Sequence, residues 1–239
     1  MDTKAKRIHK TLAITTFNKE LYSAYAHRFV ETFPHRDLDL KIYSEDTGFE
    51  FKTTFLHLPK EFVERNSHRT IRSYKTDAVR FCYKPYAIAQ CLGDWAYKYT
   101  RLLWIDADTR FHKQITEDWI DQHLYKQSAL MTYMGRPNYY SETGLLLFNL
   151  EHPECHNYIN TVRNYYDTDN IYLLPEQHDS YVWDYVRKHY ETKHNTEFHN
   201  VGVEHKVKGG HIQAHLYGEW FDHMKGKRKQ QGYSQELKR

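Results

Sequence analysis

The sequence predicts an α/β fold with a mostly parallel sheet, and two observations lead to it. Short apolar and β-branched runs alternate with segments of helical spacing through the first half of the chain, which is typical of parallel strands joined by helices. The 239 residues are 40% hydrophobic and 27% charged, the balance of a globular protein. No repeat or linker divides the chain, so we expect one main domain.

Each element follows from a local signal. Thr11–Phe17 is β-branched and apolar, which predicts a buried first strand, and Lys19–Phe33 has the features of a helix that ends before Pro34. Asp39–Tyr43 alternates as a second strand should. The same signals predict the remaining elements: a helix over Asp77–Leu92 with Gly93 as its C-terminal stop, a strand over Leu102–Ile105, further strands over Met131–Met134, Gly144–Leu150 and Tyr172–Leu174, and a helix over Ser180–His189.

Composition excludes several classes of protein. The three cysteines cannot all pair within one chain and show no C-x-x-C spacing, which disfavours a disulfide framework and favours a cytoplasmic protein. Apolar runs such as Leu145–Phe148 are far shorter than the roughly 18 residues of a membrane-spanning helix, so we expect no membrane span. The sequence contains no G-x-G-x-x-G or Walker A motif, which disfavours dinucleotide dehydrogenases and P-loop kinases.

The net charge of +3 is unevenly distributed. The segment His223–Arg239 contains six basic residues and one acidic residue, so it carries +5, while the other 222 residues carry −2. A basic segment on a slightly acidic body favours an anionic partner such as phosphate. A solvated terminal segment without a partner is the alternative.

The strongest local motif is Asp106-Ala107-Asp108, which directly follows the apolar run Leu102–Ile105. Ligands of parallel sheets bind beyond the carboxyl ends of the strands. Two carboxylates at such a place repel each other and are difficult to desolvate unless a cation joins them. Mg²⁺ or Mn²⁺ would supply that charge. The alternative is a simple turn in which Asp106 is solvated.

One enzyme class with this motif is disfavoured by neighbouring residues. Phosphatases of the haloacid dehalogenase type use an apolar strand ending in D-x-D-x-T/V, near the start of the domain. Here Arg110 stands where that Thr or Val belongs, Thr109 falls one residue early, and two predicted strands precede the motif.

Three blocks of the sequence resemble the glycogenin-like glycosyltransferases. Tyr99–Thr109 resembles their strand and D-x-D block, Ser141–Asn149 their polar-Ser-Gly-apolar strand, and His223–Lys229 their C-terminal H-x-x-G-x-x-K block. The order of the three blocks is more specific than any one of them. The resemblance implies the GT-A (Rossmann-like) fold, a mostly parallel central sheet flanked by helices, and sugar transfer from a nucleoside-diphosphate sugar, UDP-linked, with Mn²⁺ or Mg²⁺.

The resemblance also implies roles for individual residues. The metal ligands would be Asp106, Asp108 and His223, with His215 as the alternative to His223. Glu142, Gln177 and Asp179 would be the catalytic groups, and the register leaves open whether Gln177 or Asp179 faces the donor sugar. The expected donor-binding residues are Thr15, Thr16, Asn18, Tyr22, Asp77, Arg80, Lys84, Lys225, Gly226, Arg228 and Lys229.

The same resemblance suggests how the chain is divided and leaves the acceptor open. Residues 1–222 would form the catalytic domain, and residues 223–239 would complete the metal and diphosphate site and close over the bound donor. The acceptor could be a saccharide, a protein or DNA with hydroxylated bases, as in phage DNA-modifying enzymes. A non-enzymatic nucleic-acid-binding protein is the rival from another class, although it leaves the D-x-D motif unexplained.

Overall fold

The computed structural model describes residues 9–49, 51–136, 138–202, 216–224 and 229. Their strands are β1 (His9–Phe17), β2 (Asp39–Ser44), β3 (Thr54–Phe55), β4 (Tyr99–Ile105), β5 (Thr109–Phe111), β6 (Met131–Arg136), β7 (Tyr139–Asn149), β8 (His199–Asn200) and β9 (Phe221–His223). Their α-helices are α1 (Lys19–Leu21), α2 (His27–Thr32), α3 (Lys60–Asn66), α4 (Ala78–Phe81), α5 (Tyr83–Trp95), α6 (Glu117–His123), α7 (Cys155–Asp167) and α8 (Asp179–Lys193).

The described strands form one large sheet and one small one. The large sheet has seven strands in the order β3-β2-β1-β4-β7-β6-β8. Its first four strands are parallel to one another, whereas β7 is antiparallel to both β4 and β6. The small sheet is the antiparallel pair β5-β9. The mostly parallel central sheet predicted from the sequence is therefore confirmed, and β7 marks where its strand direction changes.

Helices cover both faces of the large sheet, which explains the apolar run in β4. Side chains of successive strand residues point to opposite faces. Leu102 and Trp104 belong to the core cluster that includes α5, α7 and α8, whereas Leu103 and Ile105 belong to the cluster that includes Phe29 of α2 and residues of α6. A strand buried on both faces reads as a continuous apolar stretch.

The first predicted helix is present but has three parts. Asn18 accepts a hydrogen bond from the Leu21 backbone N–H and thereby caps α1. Tyr22–Ala26 then forms a π-helical segment that leads into α2. The predicted helix over Asp77–Leu92 is likewise divided, because α4 ends at Phe81 and α5 begins at Tyr83.

One predicted helix end and one predicted strand were wrong. Gly93 does not stop its helix, because α5 continues to Trp95, and a glycine inside a helix costs only about 1 kcal/mol. Tyr172–Leu174 is not a strand. Asp169 adopts a left-handed conformation, and Asn170–Leu173 then forms a 3₁₀ turn that buries Ile171.

The helices can be compared with what a membrane span requires. Within the part of the chain that the structure describes, none is both long enough and apolar enough to cross a bilayer.

Two glycines provide a matched test of this packing. A Cβ at Gly202 would lie 2.0 Å from the Gly135 carbonyl oxygen, whereas a Cβ at Gly93 meets nothing within 4 Å. We expect Gly202→Ala to lower the free energy of unfolding by about 1–3 kcal/mol through overpacking. Gly93→Ala should raise it by up to about 1 kcal/mol, because alanine favours the helix. Urea unfolding of both variants would measure this, and equal effects would contradict the described contact between β6 and the residues after β8.

Candidate metal and donor site

The D-x-D turn lies at the carboxyl end of β4, and backbone contacts hold it there. The Asp106 N–H donates to the Gly144 carbonyl of β7 at 2.9 Å, and the Thr109 N–H donates to the Asp106 carbonyl at 3.1 Å. The next strand, β5, pairs with β9 so that Thr109 lies opposite His223. The Met224 N–H donates to the Asp108 carbonyl at 2.8 Å. The β5-β9 pair therefore places His223 beside the two carboxylates.

Asp106, Asp108 and His223 form a compact group of possible metal ligands. His223 Nε2 lies 2.9 Å from Asp108 Oδ1 and 3.4 Å from Asp106 Oδ2. One donor atom from each residue lies within 4.8 Å of the others. Two carboxylate oxygens and one imidazole nitrogen are ligands that suit a divalent ion such as Mn²⁺. The donor atoms and their convergence therefore fit the metal that the sequence predicts.

Cations of the chain keep both carboxylates ionised. Burial alone would raise the pKa of Asp106, but the Lys84 ammonium and His223 outweigh it and hold this pKa well below its usual range. The pKa of Asp108 is lowered in the same way against burial, by His223 and Lys229. Burial opposes the charged form of His223, yet Asp108 and Asp106 raise its pKa to about 9. The group is thus a network of alternating charges.

Lys84 of α5 connects this group to a third carboxylate. Its Nζ lies 2.8 Å from Asp106 Oδ1 and 2.5 Å from Asp179 Oδ2, and it donates to the Thr143 carbonyl at 2.9 Å. Asp179 also accepts a hydrogen bond from the Thr143 hydroxyl at 2.9 Å. The two carboxylates raise the pKa of Lys84 although burial acts in the opposite direction. Lys84 therefore fixes the D-x-D turn relative to the start of α8.

Glu142 and Gly144 of β7 support His223. Glu142 is buried, and its Oε1 lies 3.6 Å from His223 Nδ1 while it accepts a hydrogen bond from the Gly144 N–H at 3.2 Å. Arg136 Nη1 lies 3.6 Å from the other carboxylate oxygen. A Cβ at Gly144 would lie 2.4 Å from His223 Cε1. The Ser-Gly block of the sequence thus makes room for the imidazole and holds a carboxylate behind it.

These groups open into a cavity of about 870 Å³. Asp106, Asp108, His223, Glu142 and Asp179 line it. Gln177 is not among the described residues that line it, because its side-chain amide donates to the Leu174 carbonyl at 2.8 Å. The structure therefore brings Asp179 to the cavity and turns Gln177 away. The cavity is also lined by Tyr74, Lys75, Phe81, Arg136, Asn138, Tyr139, Tyr140, Thr143, His178, Ser180, Asp184, Lys188 and Lys229.

The residues expected to bind the nucleotide, at and after the end of β1, mainly contact other residues of the chain. Thr15 is buried, and the Thr16 hydroxyl donates to the Tyr43 carbonyl at 2.9 Å. The Asn18 amide donates to Glu45 at 3.2 Å. Tyr22 packs against aromatic rings, with centroids 5.7 Å from Phe17, 5.6 Å from Phe49 and 5.1 Å from Phe51.

The expected donor-binding residues Asp77 and Arg80 lie at the start of α4. Asp77 accepts a hydrogen bond from the Arg80 backbone N–H at 3.1 Å, so it acts as a helix cap. Arg80 is exposed, and its guanidinium lies 5.6 Å from the centre of the Phe81 ring. Neither residue is among those described as lining the cavity, although Phe81 is.

Lys229 of the basic segment also reaches the site, in addition to His223 and Met224. Lys229 Nζ lies 2.8 Å from Asp108 Oδ2, and Arg28 donates to the Lys229 carbonyl at 2.8 Å. Lys229 also lies 4.5 Å from the centre of the Tyr25 ring. Lys225, Gly226, Arg228 and the alternative ligand His215 lie outside the described residues.

Sequence reasoning missed Asp184, which the fold brings to the cavity wall. It accepts hydrogen bonds from the Ser141 N–H at 2.8 Å and the Ser141 hydroxyl at 2.5 Å, and from Arg187 at 3.1 Å. These contacts fix the start of the β7 segment that carries Glu142. The available signal was an Asp and an Arg three residues apart in an otherwise apolar part of α8.

Removing the charge of Lys84 should destabilise the protein, because its ammonium compensates the buried carboxylates of Asp106 and Asp179. Lys84→Met leaves Asp106 and Asp179 without this partner, and breaking a buried ion pair costs about 3–5 kcal/mol. We expect a loss of that size in urea unfolding, with part of it recovered in Mn²⁺ because metal supplies positive charge to Asp106. Lys60→Met is the control, because the Lys60–Glu64 pair is exposed. Equal stability of the two variants would contradict the structural role of Lys84.

Gly144→Ala tests the placement of His223. The added methyl group would overlap the imidazole, so the ring must move away from the carboxylates. We expect Mn²⁺ affinity, measured by isothermal titration calorimetry, to fall about 10–100-fold, as it does when the surroundings of a metal ligand are disturbed. Unchanged affinity would mean that His223 does not bind the ion.

Comparisons with known proteins show the fold. The chain is similar to a glycosyltransferase involved in the glycosylation of the major capsid of PBCV-1, with a TM-score of 0.53, 11% identity and coverage of 93% of this chain and 99% of that one. It is also similar to mouse xyloside xylosyltransferase 1 (TM-score 0.47, 13% identity, 80% and 84% coverage) and to the galactosyltransferase LgtC in complex with donor and acceptor sugar analogues (0.43, 13%, 71% and 68%). No family model and no curated protein matches the sequence. The likeness to the PBCV-1 protein shows that this chain has the GT-A glycosyltransferase fold.

Proposed function

We propose that the protein is a metal-dependent glycosyltransferase that moves a sugar from a nucleoside-diphosphate sugar, UDP-linked, to an acceptor hydroxyl. The observation that carries this proposal is the group of Asp106, Asp108 and His223 in the wall of a cavity of about 870 Å³. The group lies at the carboxyl end of β4, where sheets of this kind bind their ligands. The GT-A fold supports the same reaction by analogy.

Asp106, Asp108 and His223 would hold the divalent ion. When bound, Mn²⁺ or Mg²⁺ stabilises the negative charge that develops on a leaving diphosphate. Lys84 and His223, together with Lys229, lower the pKa values of the two carboxylates, which are therefore ionised as metal ligands must be. Glu142, behind the imidazole, would orient it as carboxylates commonly orient metal-binding histidines.

Lys229 is positioned to contact the diphosphate. Its ammonium lies 2.8 Å from Asp108, so it stands beside the proposed ion, where phosphate oxygens would also lie. Ion pairs between lysine and phosphate are charge-assisted hydrogen bonds, roughly twice as strong as neutral ones. We therefore propose that residues 1–222 form the catalytic domain and that the segment from His223 onward completes the donor site.

Asp179 is the proposed contact for the donor sugar. Its carboxylate lines the cavity and is held by Lys84, by the Thr143 hydroxyl and by the Ser180 N–H at 2.8 Å. A carboxylate held in this way can accept hydrogen bonds from sugar hydroxyls in a fixed direction. Gln177 lacks this placement because its amide is bonded to Leu174.

Removing either carboxylate of the D-x-D motif should abolish most activity. We expect Asp106→Asn and Asp108→Asn each to slow Mn²⁺-dependent donor hydrolysis at least about 100-fold, which corresponds to about 2.7 kcal/mol. The measurement is release of the nucleoside diphosphate from UDP-, GDP- and TDP-sugars with and without Mn²⁺. Melting temperatures would confirm that the variants fold.

Asp118→Asn is the matched control, because Asp118 is exposed in the first turn of α6. It should retain wild-type hydrolysis. Wild-type hydrolysis rates in both D-x-D variants would show that Asp106 and Asp108 do not bind the metal. A lack of metal-stimulated hydrolysis with every donor would overturn the proposed function.

A further inference from the structure

A row of aromatic rings leads from the cavity onto the surface of α8. We call it the aromatic ladder, and it consists of Tyr140, His178, Tyr181, Tyr185 and Tyr165. Ring centroids are 5.0 Å apart for Tyr140 and His178, 5.3 Å for Tyr140 and Tyr181, 6.2 Å for Tyr181 and Tyr185, and 5.8 Å for Tyr185 and Tyr165. Each ring therefore contacts the next one, and the row is continuous.

The ladder begins inside the site and ends outside it. Tyr140 and His178 line the cavity, whereas Tyr181, Tyr185 and Tyr165 are not among its described lining residues. Tyr185 is 43% exposed, and Tyr181 and Tyr165 are half-buried. Exposed apolar surface that continues from a cavity can mark a ligand-binding groove. The aromatic ladder thus extends the cavity along the surface of α8.

We propose that the aromatic ladder binds an extended, uncharged glycan chain whose terminal unit enters the cavity as the acceptor. This proposal rests on the proposed function. One face of a pyranose ring presents C–H groups that pack against an aromatic ring, while its hydroxyls can hydrogen-bond to phenol groups at the ring edge. Tyr181 and Tyr185 are the two neighbouring ladder rings that lie nearly parallel, with an interplanar angle of 18°, so these two would meet successive sugar units outside the cavity.

The charges around the ladder favour a neutral chain over single-stranded nucleic acid. A nucleic acid would require a positively charged groove beside the aromatic rings. Helix α8 carries three acidic residues, Asp179, Asp184 and Glu191, against three basic ones, Arg187, Lys188 and Lys193. Arg187 is paired with Asp184 at 3.1 Å and with Glu191 at 2.6 Å.

The inner end of the ladder is neutralised in the same way. Lys75 is paired with Glu176 at 2.8 Å, and Glu176 also contacts His178 at 2.8 Å. These cations are therefore used in ion pairs within the chain. Aromatic rings beside compensated charges suit sugar units, which carry no charge and present an apolar face.

Binding should depend on the length of the glycan. A monosaccharide would occupy only the cavity, whereas longer chains would reach Tyr181 and Tyr185. We expect affinities for neutral hexose oligomers with α and β linkages, measured by isothermal titration calorimetry, to increase from mono- to hexasaccharide. The double variant Tyr181→Ala/Tyr185→Ala should lose about tenfold or more of the hexasaccharide affinity and leave monosaccharide affinity within about a factor of two.

Two further variants serve as controls. Tyr181→Phe/Tyr185→Phe keeps the rings and should bind the hexasaccharide within about threefold of the wild type. Tyr97→Ala removes a tyrosine that is 62% exposed and lies before β4, at the opposite end of this strand from Asp106. It should leave the affinity for every oligomer unchanged. Melting temperatures of all variants would show that the fold is retained.

The outcomes separate this proposal from the proposed function. Absence of binding to every oligomer, affinity independent of chain length, equal losses in the Tyr97→Ala control, or tighter binding of an oligothymidylate than of the hexasaccharide would each overturn the ladder. Donor hydrolysis by the double alanine variant should remain at the wild-type rate, because its residues do not contact the metal group. Length-dependent glycan binding without any donor hydrolysis would support the ladder and overturn the proposed transferase function.

Discussion

The site depends on one electrostatic constraint: two carboxylates stand close together at the end of a buried strand. Asp106 and Asp108 can stay ionised there only because cations from distant parts of the chain approach them, namely Lys84 from α5, His223 from β9 and Lys229. Burial by itself would favour the protonated acids. The same charges make the site suitable for a divalent ion, since ionised carboxylates are its ligands. The ion-pair network therefore connects folding with the proposed metal site, and Lys84 extends it to Asp179.

The small β5-β9 sheet is what makes this arrangement geometrically possible. Main-chain pairing of Thr109 with His223 and of Phe111 with Phe221 holds the C-terminal part of the described chain against the D-x-D turn. Phe111, Phe221 and Trp119 pack together beneath it, with ring centroids 5.8 Å and 6.0 Å apart. Gly144 on the neighbouring strand leaves space for the imidazole. Apolar packing on one side and a missing side chain on the other thus fix the position of His223, a possible metal ligand.

The cavity has two ends with different chemistry, which suits a reaction between two substrates. Carboxylates and the cations that pair with them surround the end at β4, where a diphosphate and a metal ion would be stabilised. Tyrosine and histidine rings surround the end at α8, where contact with an uncharged ligand would dominate. Asp179 stands at the first turn of α8 and is tied to Lys84, so it lies where the two environments meet. The proposed transfer would take place at this boundary.

The sequence by itself determined the local features. The apolar run before Asp106 predicted β4 and the position of the D-x-D turn, because a strand buried on both faces must be apolar throughout. Helix α7 was not among the predicted elements, although Cys155, Tyr158, Ile159 and Val162 have helical spacing. Only the tertiary structure decided that Asp179 rather than Gln177 reaches the cavity and that Lys84 contacts carboxylates of β4 and α8. It also decided that Glu142 stands behind His223, that Tyr140 adjoins Tyr181 and that Tyr165 adjoins Tyr185. These relations join residues far apart in the chain, and a shift of one residue in a strand or helix turns a side chain to another face. Local patterns determine which residues form an element, whereas packing between elements determines which side chains meet.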